Sequence, residues 1–184
     1  MTRNTLSRSL HDVGLSAWFG GTLANAVSLN PAAAEAGSSP GVGAVANVGW
    51  DRWTPVNAAA IGLHLAGSVG QVVGNKGRIA GQEGVGSMAL AKTALTAAAL
   101  GVTAYSRVLG RRVSENTAVP AQDGTTPAPA TSASVAAAQK QLAVLQWVVP
   151  GLTGALVVLN SFAGEQERPS EAYKGVLRRA VPGL

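Results

Sequence analysis

Four long stretches almost without charge govern what this chain can become. Residues 13–34 lie between Asp12 and Glu35, and residues 53–75 between Arg52 and Lys76. Residues 84–106 lie between Glu83 and Arg107 with only Lys92 inside, and residues 141–164 between Lys140 and Glu165. Each exceeds the roughly 20 residues that carry a helix across about 30 Å of hydrocarbon. A backbone at that depth has no water to bond, so it must satisfy its own polar groups, which makes helices of all four. The expected fold is all-α: a four-helix transmembrane bundle, up-down-up-down, in a single membrane domain over 1–184. Residues 107–140, with Pro120, Pro127 and Pro129 and no apolar periodicity, read as a flexible extracytoplasmic loop. Residues 165–184 read as a cytoplasmic tail.

Composition agrees with a membrane setting. Charged residues are 12% of the chain, against roughly 25% in a soluble domain. Apolar residues are 47% but aromatics only 4%, so the apolar mass is Ala, Val, Leu and Gly, which suits closely apposed helices. The mean hydropathy, +0.22, is held down by polar loops and Ala- and Gly-rich spans. A secretory signal competes for the first span, with Arg3 and Arg8 as its basic start, residues 23–29 as its apolar part and Ala32, Ala33 and Ala34 as its cleavage site. Trp18, Phe19 and Asn25 within a long uncharged run favour the span.

Charge placement orients the chain. Four spans put Arg3, Arg8, Lys76, Arg78, Arg168, Lys174, Arg178 and Arg179 on one side, and Arg52, Arg107, Arg111, Arg112 and Lys140 on the other. The richer side is the cytoplasmic one by the positive-inside rule, so both termini are expected there. The same arrangement puts Trp50, Trp53, Tyr105 and Trp147 at one interface, as an aromatic belt requires. In the tail, Tyr173, Val176, Leu177, Ala180 and Val181 share a helical face from which Lys174, Arg178 and Arg179 are excluded, the pattern of a short amphipathic helix lying on the bilayer. The net charge of +5 therefore belongs to membrane flanks, and nucleic acid is not an expected partner. Arg outnumbering Lys, ten to four, and abundant Ala point to a GC-rich bacterial genome, hence to the plasma membrane.

The second span carries Ala58, Gly62, Ala66, Gly70 and Gly74 at every fourth position. Such a small-residue stripe lets another helix approach closely. Its partner is a neighbouring helix, a second copy of the chain or another membrane protein. The same helix carries Asn57, His64 and Gln71 seven apart, and the fourth span carries Gln146, Thr153 and Asn160 at the same spacing. Lys92, Thr96 and Thr103 on the third span and Asn25 on the first complete a set of polar stripes expected to face inward. An ionisable group within a span is costly, which makes His64 a candidate protonatable group and Lys92 a weaker one. The bland reading makes His64 a hydrogen-bonded neutral imidazole, lets Lys92 snorkel to the interface, and leaves the amides and hydroxyls as interhelical glue.

Absences narrow the chemistry. With no cysteine there is no disulfide, thiolate metal site or thiol nucleophile, and two histidines are too few for a His-rich metal site. No carboxylate falls in a span, no His-Glu-x-x-His occurs, and 74–78 lacks the spacing of a phosphate loop. A paired-histidine haem would need His11 at the depth of His64, and His11 reads as a surface residue. No cofactor and no enzyme activity are expected.

At residues 11–15 (HDVGL), 18–21 (WFGG), 49–53 (GWDRW), 75–78 (NKGR) and 164–169 (GEQERP) the chain resembles a group of small multi-pass membrane proteins of actinobacteria. The resemblance covers about 11–169 apart from the long loop. It implies a membrane-embedded four-helix fold and no particular activity, and it points to 75–78 and 165–169 as one docking surface on the cytoplasmic side. The first function expected is a non-catalytic structural or accessory subunit of a membrane complex. A small oligomeric transporter or channel using His64 is the alternative, and a quinone-linked redox protein with a pocket of His64, Gln71 and Trp18 comes third.

Overall fold

A computed structural model describes residues 4–115 and 118–180. Among them every named element is a helix, with one isolated bridge between Ala121 and Pro127 and no named strand. Arg3 and Val181, used above for the charge count and the amphipathic face, lie outside the described residues.

The first helical run starts at Thr5, well before the expected span, and is not one straight helix. It comprises α1 (Thr5–Ala24), a π-helical turn (Asn25–Leu29), α2 (Asn30–Ala32) and a 3₁₀ turn (Ala33–Ala36). Gly37, at φ 73°, ends it in the left-handed region that glycine enters without Cβ strain. Ser38 then caps α3 (Ser39–Gly74) by accepting from the Gly41 amide at 3.3 Å, with Pro40 in the first turn. After α4 (Lys76–Gly81), Gly84 at φ 79° opens α5 (Val85–Ser114). The remaining helices are α6 (Ala133–Glu165) and α7 (Pro169–Ala180).

Three helices, α3, α5 and α6, are long and apolar enough to cross a membrane, with 36, 30 and 33 residues. At 1.5 Å per residue α3 is about 54 Å long, so it runs well past a 30 Å hydrocarbon layer. In their most apolar stretches only 17%, 6% and 22% of residues are buried. Val56, Leu63, Val69, Leu90, Val144, Val158 and Phe162 instead turn outward. An apolar face that continuous is far larger than soluble monomers expose. Length, composition and exposure are those of a membrane protein. α1 is not among the three, because it starts with Arg8 and Asp12 in its first turns and gives way to the π turn at Asn25.

α1 packs mainly on α3 and α6, and α5 packs mainly on α6, while α3 and α5 barely touch. The α1–α3 crossing is a backbone contact: a methyl placed at Gly14 would stand 2.5 Å from the Ala60 carbonyl oxygen, and one at Gly67 2.5 Å from that of Ser7. The expected stripe is divided between two surfaces. Gly70 and Gly74 do lie under α1, against Ser7 and Asn4, but Gly62 has open space around it and Ala66 is exposed. The α1 footprint on α3 is Ala60, His64, Gly67, Gly70 and Gly74, a row slanted relative to the strict four-residue repeat.

The segment expected as a flexible loop over 107–140 is also redrawn. Helices α5 and α6 take its two ends, and residues 118–132 fold onto the extended ends of the long helices. Val119 packs with Leu109, Val113, Val135 and Ala138, and Ala121 with Ala33, Val42 and Ala46. Gly43 lies directly beneath the Val119 carbonyl. Asp123 organises the turn by accepting from the Thr125 and Thr126 amides at 2.7 and 2.8 Å and from both hydroxyls. Loop periodicity could not reveal this, because the partners are helix ends far away in the chain.

Candidate functional site

The inward polar stripes meet at two levels. At the first, the α1–α3 crossing brings His11 and His64 together with ring centroids 4.4 Å apart, 2% and 1% exposed. His11 is therefore an interior residue, against the surface position expected for it, since α1 begins about two turns before the expected span and Gly67 admits its backbone. His64 Nδ1 donates to the His11 carbonyl at 3.4 Å, and Thr96 reaches Nε2 at 3.5 Å. These two contacts hold the imidazole between three helices. His11 Nδ1 donates to Asp12 at 2.8 Å and lies 3.4 Å from the Asn160 amide. With the rings in contact, no porphyrin plane fits between them, so this pair is not a bis-histidine haem site.

The other sequence candidates divide around this level. Lys92 lies one turn before Thr96 on α5, half-buried. Gln71 sits two turns below His64, and its carbonyl accepts from the Asn75 side chain. Thr153 is fully buried but bonds its own helix at the Val149 carbonyl, 2.9 Å away, so it presents no free polar group. Asn25 opens the π turn with its Nδ2 buried and unpartnered among the described residues.

Trp18, Ala60, Ala99 and Val149 form an apolar layer above the histidines. Beyond it lies the second level, a cleft of about 330 Å³ between the halves of α3 and α5 that face each other with few contacts. Ile61, Leu100, Leu142 and Val149 give it apolar walls, and Asn47, Trp53, Asn57, Thr103, Ser106 and Arg107 bring polar groups to it. Of the eleven buried side-chain polar atoms that lack a hydrogen-bond partner among the described residues, six belong to those residues: Asn47 Nδ2, Trp53 Nε1, Asn57 Oδ1, Thr103 Oγ1, Ser106 Oγ and Arg107 Nε. Leaving such a group unmade costs roughly 1–3 kcal/mol, and each of the six atoms is closed off by its own neighbours rather than open to the cleft.

The cleft is firmly framed. Trp53 packs against Gly21, where any side chain would collide with the indole. Asn30 accepts from Trp50 Nε1 at 2.9 Å and donates to Gln146 at 2.7 Å, tying α2, α3 and α6 at the rim. Arg107 Nη1 donates to Asp51 at 3.0 Å across the mouth. Trp50 and Trp53 thus turn inward, while Tyr105 and Trp147 face out, 48% and 51% exposed, so the expected aromatic belt is half belt and half pocket wall. Of the polar stripes foreseen in sequence, Asn57, Thr103 and Gln146 line the cleft. None of His64, Gln71 and Trp18, the residues expected around a quinone, does so. His11 and Trp18 were readable as one stripe with Gly14 and Gly21, but Arg107 and Asn47 carried no signal, since both lie outside the uncharged spans.

At the far end of the molecule the segments 75–78 and 165–169 do come together. Arg78 pairs with Glu167 at 3.0 Å and donates to the Gln166 carbonyl at 2.8 Å, Gln82 donates to that carbonyl at 2.9 Å, and Arg8 joins Glu167. The Glu83 amide donates to the Gly175 carbonyl of α7 at 3.1 Å. α7 keeps Tyr173, Val176 and Leu177 exposed.

In comparisons with known proteins, no family model matches this chain, and no curated protein or solved structure matches it.

Proposed function

We propose that the chain is a four-pass protein of the bacterial plasma membrane, its termini cytoplasmic, that works without covalent catalysis as a binding subunit. In this reading it receives an amphiphile from the surrounding lipid into the cleft between α3 and α5. The run from Thr5 to Ala36, packed along α3 and α6, serves as the fourth crossing. The observation that carries the reading is the apolar-walled cleft of about 330 Å³ between α3 and α5, two long helices that make few contacts with each other. The lining of the cleft weighs against a quinone held by His64, Gln71 and Trp18. The test is mass spectrometry of amphiphiles retained by the protein purified in mild detergent, beside Ala104→Trp, which fills the cleft from its wall. A species retained by the native chain and lost from the variant supports the reading. Equal retention by both would mean lipid on the outer surface only.

A separate observation favours a partner helix as well. Gly62 and Ala66 remain open on α3, a small-residue surface that no described segment covers. The partner is another membrane protein or a second copy. Gly62→Leu should abolish a co-purifying partner without unfolding the chain. Gly70→Leu is the wrong probe, since it would strike Ser7 inside the fold.

A further inference from the structure

We infer that α7 is an interfacial helix that docks on the anionic surface of the cytoplasmic leaflet, its apolar face among the acyl chains and its cations at the lipid phosphates; this rests on the membrane reading above and is independent of the cleft. The place of α7 comes first. It begins at Pro169, four residues after α6 ends at Glu165, so it starts at headgroup level, where the apolar span stops. It does not run on along the axis of α6. Gln82, 3% exposed, donates to the Gln166 carbonyl at 2.9 Å, and its stem lies so close to Gly175 that a Cβ there would stand 2.8 Å from Gln82 Cγ. On a straight continuation Gln166 and Gly175 would be about 13.5 Å apart, too far for one glutamine to touch both. The Glu83 amide, donating to the Gly175 carbonyl at 3.1 Å, fixes the same edge. α7 is therefore bent back against the turn between α4 and α5.

That attachment fixes which face looks away. At about 100° per residue, Tyr173, Val176, Leu177 and Ala180 centre about 150° round the helix from Gly175. Tyr173, Val176 and Leu177 are 68%, 51% and 38% exposed, so this apolar face has no cover among the described residues. Its flanks are basic. Lys174 lies about 110° to one side of its centre and Arg179 about 110° to the other, with Arg178 behind, and all three are exposed. Lys174 pairs with Glu171 at 2.9 Å, while Arg178 and Arg179 hold no ion pair among the described residues. Cations on both sides of an apolar strip suit an anionic bilayer, because their stems can lie along the acyl chains while the charges rise to phosphate. An acidic groove on a protein would match the charges as well. The bilayer is favoured because α6 delivers α7 to its surface and because the exposed apolar residues continue the outward faces of the spans.

The chain has no cysteine, so a single introduced cysteine can be labelled uniquely. Val176→Cys on the apolar face and Glu171→Cys on the opposite face are each labelled with a nitrobenzoxadiazole dye in the full chain. The protein is reconstituted in vesicles of phosphatidylcholine, alone or mixed with phosphatidylglycerol. Spin-labelled lipid reports contact with the bilayer, and iodide on both sides of the vesicle reports contact with water. In the mixed vesicles the dye on Val176→Cys is expected to be quenched by the lipid and shielded from iodide, while the dye on Glu171→Cys stays open to iodide. With Arg178→Gln and Arg179→Gln together, the ratio of docked to free dye should fall about thirtyfold, about fivefold for each charge. In phosphatidylcholine alone it should fall at least as far. Equal docking in both lipids and in the arginine variant would overturn the anionic surface as occupant. Shielding from iodide without quenching by the lipid would put a second copy of the chain on α7, and exposure to iodide in every vesicle would leave α7 in water; either result overturns the proposal. Spin-label quenching of the tryptophan emission reports insertion of the spans separately, so loss of α7 docking with the tryptophans still quenched refutes the role of α7 and not the membrane reading.

Discussion

The α1–α3 crossing should be far less tolerant of a methyl group than the rest of α3. At Gly67 an added Cβ would stand 2.5 Å from the Ser7 carbonyl oxygen and 2.7 Å from His11 Cα. At Gly14 it would stand 2.5 Å from the Ala60 carbonyl oxygen and 3.0 Å from His64 Cα. Ordinary contact begins near 3.4 Å and the backbone nitrogens of His11 and His64 stand closer still, so α1 must retreat by about 1 Å, and no rotamer change helps because the obstacles are backbone. Overpacking of this kind costs about 1–3 kcal/mol, against about 0.5–1 kcal/mol gained by removing a helical glycine. Gly67→Ala and Gly14→Ala are each expected to lose about 1–2 kcal/mol in unfolding by SDS in mixed micelles, followed by circular dichroism. The double variant should lose less than the sum, since one retreat relieves both collisions. Gly62→Ala, with nothing within 4 Å, should be neutral or slightly stabilising. If Gly67→Ala proves as stable as Gly62→Ala, the helices do not cross there, and the burial of His11 against His64 falls with the crossing.

Three further outcomes follow from named contacts. Burial alone would raise the pKa of Asp123, but the hydrogen bonds from Thr126 and Thr125 outweigh it and hold the carboxylate below its usual value of 3.8. Its contribution is therefore present above about pH 3.8 and lost as pH falls through the lower folded value, so melting below pH 4 should be steeper in the native chain than in Asp123→Asn. Asn30→Leu removes the acceptor of Trp50 and the donor to Gln146, and should cost about 1–2 kcal/mol in the same SDS titration, with a red-shifted tryptophan emission. Glu167→Gln removes the charge shared by Arg8 and Arg78; being partly exposed, the pair should cost under about 1 kcal/mol, but limited proteolysis between α6 and α7 should accelerate.

The parts of the fold legible in sequence are those set by solvent alone. Uncharged runs locate α3, α5 and α6 because a charge in hydrocarbon is costly wherever the helix sits. The heptad spacing of Asn57, His64 and Gln71 identifies an inward face, since 3.6 residues per turn is a local property. The helix ends were misjudged for the same reason: outside the lipid, charge does not stop a helix, so α3 runs back through Arg52 and Asp51 to Ser39. His11 looked superficial because Asp12 follows it, yet only the neighbouring side chain points outward, with Asp12 64% exposed and His11 3%.

What the sequence by itself determined is the solvent of this chain and the helical form that solvent imposes, together with the polar positions that cannot face lipid. Which of two small-residue rows on α3 meets α1, and so which polar groups meet each other, was decided only by tertiary packing. Gly62 and Gly67 are chemically the same residue on the same helix, and the difference between an open surface and a crossing lies in the backbone of α1, which no local pattern on α3 encodes. The cleft follows in turn, because it is the space left where α1 and α6 hold α3 and α5 apart, and a space has no residues of its own to be read.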